Sequence, residues 1–449
     1  MPVLSGRKEN DGRKVNPMSD DRILRIPVMA RVEGKGALEM TVSRGRVGEV
    51  RLRIFEPPRL FEKILEGREF REVPDIVARI CGICPAAYQL TAVSAIEAGF
   101  GLQPGEEISR FRKILACGEW ISSHSLHVHL LAAPDFLGYE DVMEWARHDP
   151  ESVRRGFELH AVGNALLSLM GGRPVHPVGA CVGGFFRFPH EEEREAVASR
   201  VRAALPLATD LVRWAASLPY PESERAFVSV SLRAPDSYPM NGGRIVSSRG
   251  LSIDPSDFEA HVEEFQVPHS TAFHSLLDGE PYLVGPLARL NLNADRLPPE
   301  ILSLIADSGI RLPSTNMNHS LLARAIEIRF ALGEALAHLE KPSTGSPSSL
   351  PVPIRESTGI AATEAPRGIL WHRYDLSENG LVRKARIIPP TSQNQTIMEA
   401  DLRESLETGG LERPDEALRK EAERIVRNYD PCISCATHFL DLTVHRRDR

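Results

Sequence analysis

Residues 79–84 read RICGIC, and residues 430–438 read DPCISCATH. Each stretch contains two cysteines separated by two residues, a spacing that lets both sulfurs reach one metal ion. Together they hold four of the six cysteines of the chain: Cys81, Cys84, Cys432 and Cys435. Thiolates favour soft or borderline metals such as zinc, copper(I), nickel and the iron of iron–sulfur clusters. The spacing therefore indicates a metal site built from both pairs, although the pairs lie at opposite ends of the chain.

The two pairs by themselves leave other kinds of site open. A four-cysteine structural zinc site usually has its pairs close together in sequence, and an iron–sulfur cluster normally has a third nearby cysteine. A redox dithiol would fit CGIC but would leave the second pair and His438 unexplained. Cys117 and Cys181 stand alone, and we interpret both as small buried hydrophobic residues.

The composition is that of an ordinary globular protein. The chain has 449 residues, of which 42% are hydrophobic and 26% charged. Its net charge of −7, without a basic block, argues against binding to nucleic acid or to an anionic membrane. No apolar run is long enough to span a bilayer, and the polar start lacks a secretory h-region. We expect a cytoplasmic protein without direct membrane insertion.

Hydrophobic periodicity predicts a long-helix core with small sheets around it. Residues 23–56 alternate apolar and polar side chains and predict a small antiparallel sheet. Residues 226–312 predict a mixed α/β region, and the Pro/Ser-rich residues 341–353 predict a loop, followed by strands at GILWHRYDL and LVRKARIIP. Residues 1–22 predict a disordered or loosely attached arm. The longest amphipathic stretches predict helices at 106–133, 150–172, 191–217, 319–340 and 415–429.

The order of several sequence blocks resembles one known family. RICGIC with DPCxxCxxH is the double signature of the large, catalytic subunits of [NiFe]-hydrogenases, and the chain resembles the cytosolic NAD(P)-linked or sulfhydrogenase alpha-subunit group. The resemblance implies an α/β (α+β) fold, with a long-helix bundle core and peripheral small β-sheets, in a single domain spanning 23–438. The matching blocks between the two signatures and before them are ARVEGKG (30–36), RLFEKILEGR (59–68), GGRPVHPVGACVGG (171–184), TEAPRGIL (363–370) and IIPPTSQN (387–394).

The resemblance assigns roles to the four cysteines. Cys81 and Cys432 would be terminal nickel ligands, and Cys84 and Cys435 would bridge nickel to an iron that carries two cyanides and one carbon monoxide. The implied reaction is the reversible heterolytic oxidation of H2 to protons and electrons. A proton would pass from a terminal cysteine, Cys432, to a carboxylate.

Further residues of the site are implied in the same way. Glu33, in ARVEGKG, matches the glutamate that receives the proton, and burial beside a thiol can raise the pKa of a carboxyl group toward neutrality. Arg367, in TEAPRGIL, matches an arginine poised over the open edge of the centre, and Asp430 matches an acidic residue above it. The implied cofactor-binding residues are Pro366, Pro390 and Thr391.

A second ion, usually magnesium in the family, would bind near the C-terminus. Its implied ligands are Glu62, His438 and the backbone carbonyl near Ile387. Glu62 lies on a predicted amphipathic helix whose apolar face would pack inward. That face consists of Leu60, Phe61, Ile64 and Leu65.

Two positions depart from the family pattern. Tyr88 stands where relatives usually have a histidine, which puts the electrostatics around Cys84 in doubt. Ser123 stands where many relatives have an aspartate that pairs with the arginine, so we expect Arg367 to be held less tightly. His124 and His176 also fall in family blocks, and we interpret both as structural or interface residues.

The resemblance also implies partners. No cysteines remain to hold iron–sulfur clusters, so electrons require a small subunit that carries them, and flavin (FAD) and NAD(P) would belong to diaphorase subunits. Nickel chaperones and an endopeptidase would serve maturation, with cleavage after His438 releasing residues 439–449. Two alternatives are a non-catalytic scaffold similar to the quinone-module subunit of respiratory complex I and a zinc-stabilised interaction protein.

Overall fold

The computed structural model describes residues 22–437. The α-helices are α1 (Phe61–Leu65), α2 (Val73–Val77), α3 (Pro85–Phe100), α4 (Glu106–Leu126), α5 (Ala133–Leu137), α6 (Val142–His148), α7 (Pro150–Gly171), α8 (Glu191–Ala216), α9 (Pro286–Asn293), α10 (Pro299–Ser308), α11 (Ser320–Leu339), α12 (Pro390–Gly409), α13 (Asp415–Tyr429) and α14 (Ile433–Ala436). The β-strands are β1 (Arg22–Ile26), β2 (Gly36–Ser43), β3 (Arg46–Ile54), β4 (Ala180–Cys181), β5 (Gly184–Phe185), β6 (Val230–Arg233), β7 (Arg244–Ser247), β8 (Ser252–Ile253), β9 (Val262–Gln266), β10 (Phe273–Leu277), β11 (Ser357–Ala365), β12 (Gly368–Leu376) and β13 (Val382–Ile388).

The core consists of the long helices α4, α7, α8 and α11, whose apolar faces share one large buried cluster. Glycines let α4 and α7 approach closely. A Cβ atom on Gly163 would lie 2.5 Å from the backbone nitrogen of Ser122 and 2.7 Å from the carbonyl oxygen of Gly118. Any larger side chain at position 163 would push the two helices apart.

Small antiparallel sheets surround this helical core. β1, β2 and β3 form one three-stranded sheet, β11, β12 and β13 form another, and β6, β7 and β8 form a third. In the β11–β12 hairpin, Ala365 pairs with Gly368, so Pro366 and Arg367 make up the two-residue turn. This turn projects the Arg367 side chain from the end of the hairpin.

The two ends of the described chain meet. Glu33 and Cys432 form a parallel backbone bridge, and the Ile433 amide donates to the Glu33 carbonyl at 3.1 Å. The short helix α14 buries Ile433 and Ala436 against Ile54 at the end of β3. The N-terminal sheet thus supports the segment that carries the second cysteine pair.

Most of the predicted elements are confirmed, including the antiparallel sheet, the long helices and the loop at 341–353. The amphipathic helix predicted around Glu62 is wrong in extent, because α1 is only five residues long. Such a short helix turns one apolar side chain, Leu65, into the core, and it leaves Leu60 and Ile64 exposed. In the described part of the chain, no helix is long and apolar enough to cross a membrane. Apart from Arg22, the predicted arm lies outside the described residues, as does the extension 439–449.

Candidate metal centre

The four paired cysteines occupy the ends of short elements. Cys81 follows a single 3₁₀ turn that ends at Ile80, and Cys84 immediately precedes α3. Cys432 immediately precedes α14, and Cys435 lies within it. Each sulfur is therefore presented from a helix start or a tight turn, where neighbouring backbone amides point outward. The amides of Ile83 and Cys84 approach the Cys81 sulfur at 3.3 and 3.4 Å.

The fold brings the four sulfurs together. The Sγ atoms of Cys81 and Cys432 are 3.3 Å apart, and those of Cys84 and Cys435 are 3.6 Å apart. All four sulfurs lie within 4.8 Å of one another, and all four side chains are buried. The first cysteine of each pair meets the first of the other, and the second meets the second. The arrangement is a single four-thiol site, as the spacing predicts.

The charge balance of the four buried thiols favours the binding of metal cations. Burial raises the pKa of Cys432 and of Cys435, whereas hydrogen bonds from the neighbouring thiols lower the pKa of Cys81. Four buried thiolates in contact would repel one another, so they cannot all be ionised without added positive charge. Metal cations supply that charge, and thiolates are suitable donors for soft or borderline metals such as zinc, copper(I), nickel and iron.

Arg367 supplies a second observation that fits a nickel–iron centre. Its guanidinium is buried, which by itself would lower the pKa of Arg367. The negative charge of Asp430, and after it that of the cluster cysteines, outweighs burial and raises the pKa. Within the described residues, Nη1 of Arg367 has no hydrogen-bond partner. A buried cationic donor without an acceptor is costly. Small anionic ligands on a metal in the thiol cluster would be suitable acceptors, so the residues present fit the group that the resemblance implies.

Asp430 anchors Arg367. Nε of Arg367 donates to the Asp430 carbonyl at 2.7 Å, and Nη2 donates to Oδ1 at 3.0 Å. Asp430 ends α13 in the left-handed conformation, with φ 54°, which turns its side chain back toward the hairpin. Burial opposes ionisation of Asp430, but the charge of Arg367, together with that of Arg324 and the nearby histidines, outweighs burial and lowers the pKa of Asp430. Asp430 thus fixes two nitrogens of Arg367, while Nη1 has no partner among the described residues, so the expectation that Arg367 is held less tightly than in relatives with an aspartate at position 123 stays a prediction.

Glu33 lies beside the second cysteine pair. Its main chain is bridged to Cys432, and its Oε2 accepts the Ser434 amide at 3.0 Å. The side chain is half-buried. It therefore occupies an intermediate position between the buried cluster and the surface.

The three predicted cofactor-binding residues lie around the same centre. The Thr391 hydroxyl accepts the Cys432 amide at 3.0 Å, which ties the start of α12 to the cysteine. Pro390 is the first residue of α12. Pro366 precedes Arg367 in the hairpin turn, and its carbonyl accepts Nη2 of Arg289 at 2.9 Å.

A buried ionic network beneath the hairpin turn was not predicted from sequence. Arg289 donates to Glu327 at 2.8 and 2.7 Å, to Glu364 at 2.8 Å, and to the carbonyls of Ala365 and Pro366 at 2.8 and 2.9 Å. The Tyr238 hydroxyl and His124 also contact Glu327, and Arg289 lies 4.3 Å from the centre of the Trp120 ring. The network fixes the backbone that precedes Arg367. The sequence does contain one indication of this network, because the charged Glu327 lies within the mostly apolar stretch LLARAIEIRFAL.

Glu119 was also missed. It extends from α4, and its carboxylate accepts the amides of Ala86 and Ala87 at 2.6 and 2.9 Å, the first free N–H groups of α3. Burial raises the pKa of Glu119 to about 8, although these amides favour the ionised form. Because Cys84 directly precedes α3, Glu119 positions the start of that helix and the cysteine with it.

Only part of the predicted second-ion site can be located. Oε1 of Glu62 accepts the Ile387 amide at 2.7 Å, so these two residues do meet. Burial raises the pKa of Glu62 to about 7, and the Ile387 amide partly opposes this. His438 lies outside the described residues.

Tyr88, the other position that departs from the family pattern, is buried next to the cysteine centre. Burial, together with the charge of Cys435 and Cys84, raises its pKa well above the usual value.

The chain matches the family model described as nickel-dependent hydrogenase, over residues 59–159 and 276–438. It is 36% identical to the alpha chain of sulfhydrogenase 1 of Pyrococcus furiosus, over 93% of this chain and 98% of that protein. It is 31% identical to a chain of the F420-non-reducing hydrogenase of Methanothermobacter marburgensis, over 93% of this chain and 95% of that protein.

Solved structures agree with this relationship. The structure of an NAD+-reducing [NiFe]-hydrogenase in the H2-reduced state superposes with a TM-score of 0.82 and 27% identity, covering 93% of this chain and 99% of that one. The predicted mixed fold, with helices at the core and small sheets around them, is confirmed. The convergent cysteines, the family match and the curated relatives lead to one conclusion: this chain is a large subunit of the nickel-dependent hydrogenase family.

Proposed function

We propose that the chain catalyses reversible H2 oxidation, with Cys81 and Cys432 as terminal nickel ligands and Cys84 and Cys435 as ligands shared between nickel and an iron that carries two cyanides and one carbon monoxide. A nickel–iron centre held in this way would supply the site at which H2 is split heterolytically. The observation that carries the proposal is the convergence of four buried sulfurs next to a buried arginine nitrogen that lacks an acceptor among the described residues.

The proton released at the centre would be handled by Cys432 and Glu33. The Cys432 sulfur is buried in the cluster and would accept the proton from the centre. Glu33 is bridged to Cys432 through the main chain and is half-buried. Its carboxylate would receive the proton from the sulfur and pass it toward solvent.

Arg367 would hold the anionic ligands of the iron. Asp430 fixes two of its nitrogens, which leaves Nη1 for that role. Because the guanidinium is rigid and planar, fixing one side orients the other. Pro366, Pro390 and Thr391 would complete the wall around these ligands, with Thr391 also holding the Cys432 amide.

A magnesium ion would bind Glu62, the carbonyl of Ile387 and His438. The Glu62 carboxylate accepts the Ile387 amide, which supports the proximity of these two residues. Carboxylate and carbonyl oxygens are ligands that magnesium prefers. In the proposed maturation, cleavage after His438 by an endopeptidase would follow nickel delivery by chaperones.

Electrons would leave through an iron–sulfur small subunit. The two cysteines outside the centre cannot hold a cluster, since Cys117 is fully buried against Met240 and Cys181 is alone at the β4–β5 turn. An apolar surface near the centre offers a docking face: Val175, Val178 and Phe186 are 51, 41 and 72% exposed. This surface is close to the first cysteine pair, because His176 contacts the Ala78 carbonyl at 2.7 Å.

The electron acceptor would be NAD(P), reached through FAD-containing diaphorase subunits in a cytoplasmic complex. The NAD+-reducing hydrogenase among the structural neighbours supports this assignment. Adding NAD+ or NADP+ to the purified complex under H2 tests it directly. If the complex reduces an artificial dye with H2 but reduces neither nucleotide, NAD(P) is not the acceptor, and the proposed hydrogenase activity still stands.

Metal analysis of the purified complex tests the central proposal. We expect about one nickel and one iron in this large subunit, with infrared bands for cyanide and carbon monoxide. The Cys435→Ala variant should lose H2 uptake while remaining soluble, and Cys181→Ala is the matched control that should retain uptake. Zinc without nickel, or full H2 uptake by Cys435→Ala, would overturn the proposal.

Co-purification tests the docking face. Phe186→Asp should release the small subunit, because it places a charge in an apolar contact. Met143→Asp is the control, since Met143 is 68% exposed but lies on α6, away from this surface. An undiminished yield of small subunit with Phe186→Asp would place the interface elsewhere.

A further inference from the structure

A second group of metal-ligand side chains lies outside the four-cysteine centre. It consists of His269 in the β9–β10 loop, His274 on β10 and Glu399 on α12, and their donor atoms lie within 4.8 Å of one another. Nε2 of His269 is 3.0 Å from Oε1 of Glu399, and Nε2 of His274 is 3.5 Å from Oε2. Tetrahedral zinc with bonds of about 2.1 Å keeps its ligand atoms about 3.4 Å apart. The two distances to Glu399 bracket that value, and the two histidine nitrogens lie within 4.8 Å of each other.

One of these side chains lacks a hydrogen-bond partner within the described residues. His274 is 2% exposed, and neither of its ring nitrogens makes a hydrogen bond there. Its Nε2 lies at an ion-pair distance of 3.5 Å from Oε2 of Glu399, which is too long for a well-formed hydrogen bond. A buried imidazole without a hydrogen bond carries a cost, because each of its ring nitrogens bears either a proton or a lone pair. A cation between Nε2 of His274 and the Glu399 carboxylate would remove part of that cost.

The Glu399 carboxylate is oriented by a backbone amide on the side away from His274. The Leu52 amide donates to Oε1 at 2.8 Å, which sets the direction of the carboxylate from β3. Hydrogen bonds of this kind, made behind a metal ligand, commonly orient it.

The loop that carries His269 is also held in place. The Thr271 amide donates to the Ile54 carbonyl at 2.8 Å, and the Thr271 hydroxyl donates to the Glu56 carbonyl at 2.8 Å. The ligands are thus presented by a loop anchored to β3, by a strand and by a helix. The side chains of His269 and Glu399 are each 18% exposed, so an ion can enter and water can complete its coordination.

We propose that His269, His274 and Glu399 bind one zinc ion, with water as a further ligand. A donor set of two imidazoles and one carboxylate suits zinc better than it suits magnesium or calcium. The ion would join the β9–β10 hairpin to α12, and through Leu52 to the N-terminal sheet. The proposal does not depend on the function of the cysteine centre.

The test uses the purified hydrogenase complex, with its cysteine centre loaded, and zinc as the probe. Wild-type complex freed of loosely bound metal should take up one zinc per large subunit, and its thermal unfolding midpoint should rise with zinc concentration. His269→Gln should weaken zinc binding at least ~100-fold and abolish the thermal shift. His261→Gln is the matched control, because His261 also pairs with a carboxylate, Asp278 at 2.8 Å, but has no third ligand among the described residues.

X-ray absorption at the zinc edge identifies the ligands. Nitrogen and oxygen ligation in wild type, lost in His269→Gln, supports the site, whereas sulfur ligation would place zinc on the cysteines and overturn it. The proposal is also overturned if the wild-type complex takes up no zinc. It is overturned as well if wild type and His269→Gln take up equal amounts. Glu399→Gln gives an independent variant with the same expected loss, and nickel content and circular dichroism report whether each variant is folded.

Discussion

Arg367 is held at both its backbone and its side chain. The two-residue turn between β11 and β12 sets its Cα position, Arg289 binds the carbonyls of the two preceding residues, and Asp430 binds Nε and Nη2. Holding a cation this firmly in a buried site reduces the reorganisation needed when charge develops nearby. Substitutions at single residues around the centre therefore test the proposed chemistry most directly.

Arg367→Lys should lower H2 uptake at least ~100-fold without loss of nickel. A lysine keeps the charge, but a single ammonium cannot bind Asp430 and also reach the centre. H2 uptake and nickel content, measured on the same preparation, check this. Arg373→Lys is the control, because Arg373 lies on the same hairpin and pairs with Glu259 at the surface. Equal uptake by Arg367→Lys and wild type would contradict the role.

Glu33→Gln should slow H2 uptake roughly 100-fold, since an amide cannot receive a proton. The amide oxygen can still accept the Ser434 N–H, so the fold and the nickel content should be unchanged. Glu39→Gln is the control, because Glu39 forms a surface ion pair with Arg25 on the same N-terminal sheet. If Glu33→Gln retains wild-type turnover, the proton leaves by another group.

At the level of single residues, the spacing of the two cysteine pairs was sufficient to predict that the four cysteines form one site. The expectations for Arg367 and Asp430 came from the family resemblance. Glu119 and Arg289 could not be predicted in the same way. Their partners are backbone groups and carboxylates on distant elements, and a sequence does not reveal which helices pack together. A charged residue inside an apolar run, as at Glu327, indicates a buried ion pair but does not identify its partner.

Among the helices, the start of α3 depends on α4. Glu119→Ala should destabilise the large subunit by about 1–3 kcal/mol, because the two backbone N–H donors of α3 would both lose their acceptor. Denaturant unfolding and nickel content measure the effect, and nickel retention should fall because Cys84 shifts with the helix. Glu191→Ala, at an exposed position in the first turn of α8, is the control. An unchanged unfolding midpoint would show that water replaces the carboxylate.

The elements that were predicted have simple periodicity, and the ones that were missed do not. The strand β11, STGIAATEA, contains small residues in place of a β-branched alternation. The helix α12 begins PTSQNQ, which is typical of a loop. In the structure those polar residues are buried and bonded: Asn394 exchanges hydrogen bonds with the Val284 backbone at 3.0 and 3.1 Å, and Gln393 donates to the Ile369 carbonyl at 2.7 Å. The start of α12 is therefore stabilised by hydrogen bonds to distant backbone groups. It lacks the apolar stripe from which a helix is predicted in a sequence.

Across the molecule as a whole, long loops are fixed to the helical core by buried charges. Glu107 on α4 is buried and accepts Ser343 Oγ at 2.8 Å, the Thr344 amide at 3.2 Å and the Ser346 amide at 3.3 Å. Although burial opposes ionisation of Glu107, the hydrogen bonds from Thr344 and Ser343 outweigh it and lower its pKa to about 2. The Pro/Ser-rich loop is thus closed onto the start of α4.

Glu107→Gln should lower the free energy of unfolding by roughly 1–2 kcal/mol at pH 7. Since the pKa of Glu107 is lower in the folded state, its contribution is fully present above about pH 4.5 and is lost as the pH falls toward 2. The difference between the variant and wild type should therefore shrink over that range in denaturant titrations. Glu106→Gln, at the exposed neighbouring position, is the control. A difference that is constant with pH would exclude the charge as the cause.

The meeting of the two chain ends has a consequence for the timing of synthesis. Cys81 and Cys432 are 351 residues apart in sequence yet in contact in space. At typical translation rates of about 5–20 residues per second, the second pair leaves the ribosome roughly 18–70 s after the first. During that interval the nascent chain exposes a reactive dithiol with no partner. A chain that stops before residue 432 never acquires the other half of the ligands, so completion of the centre reports that synthesis has passed residue 435.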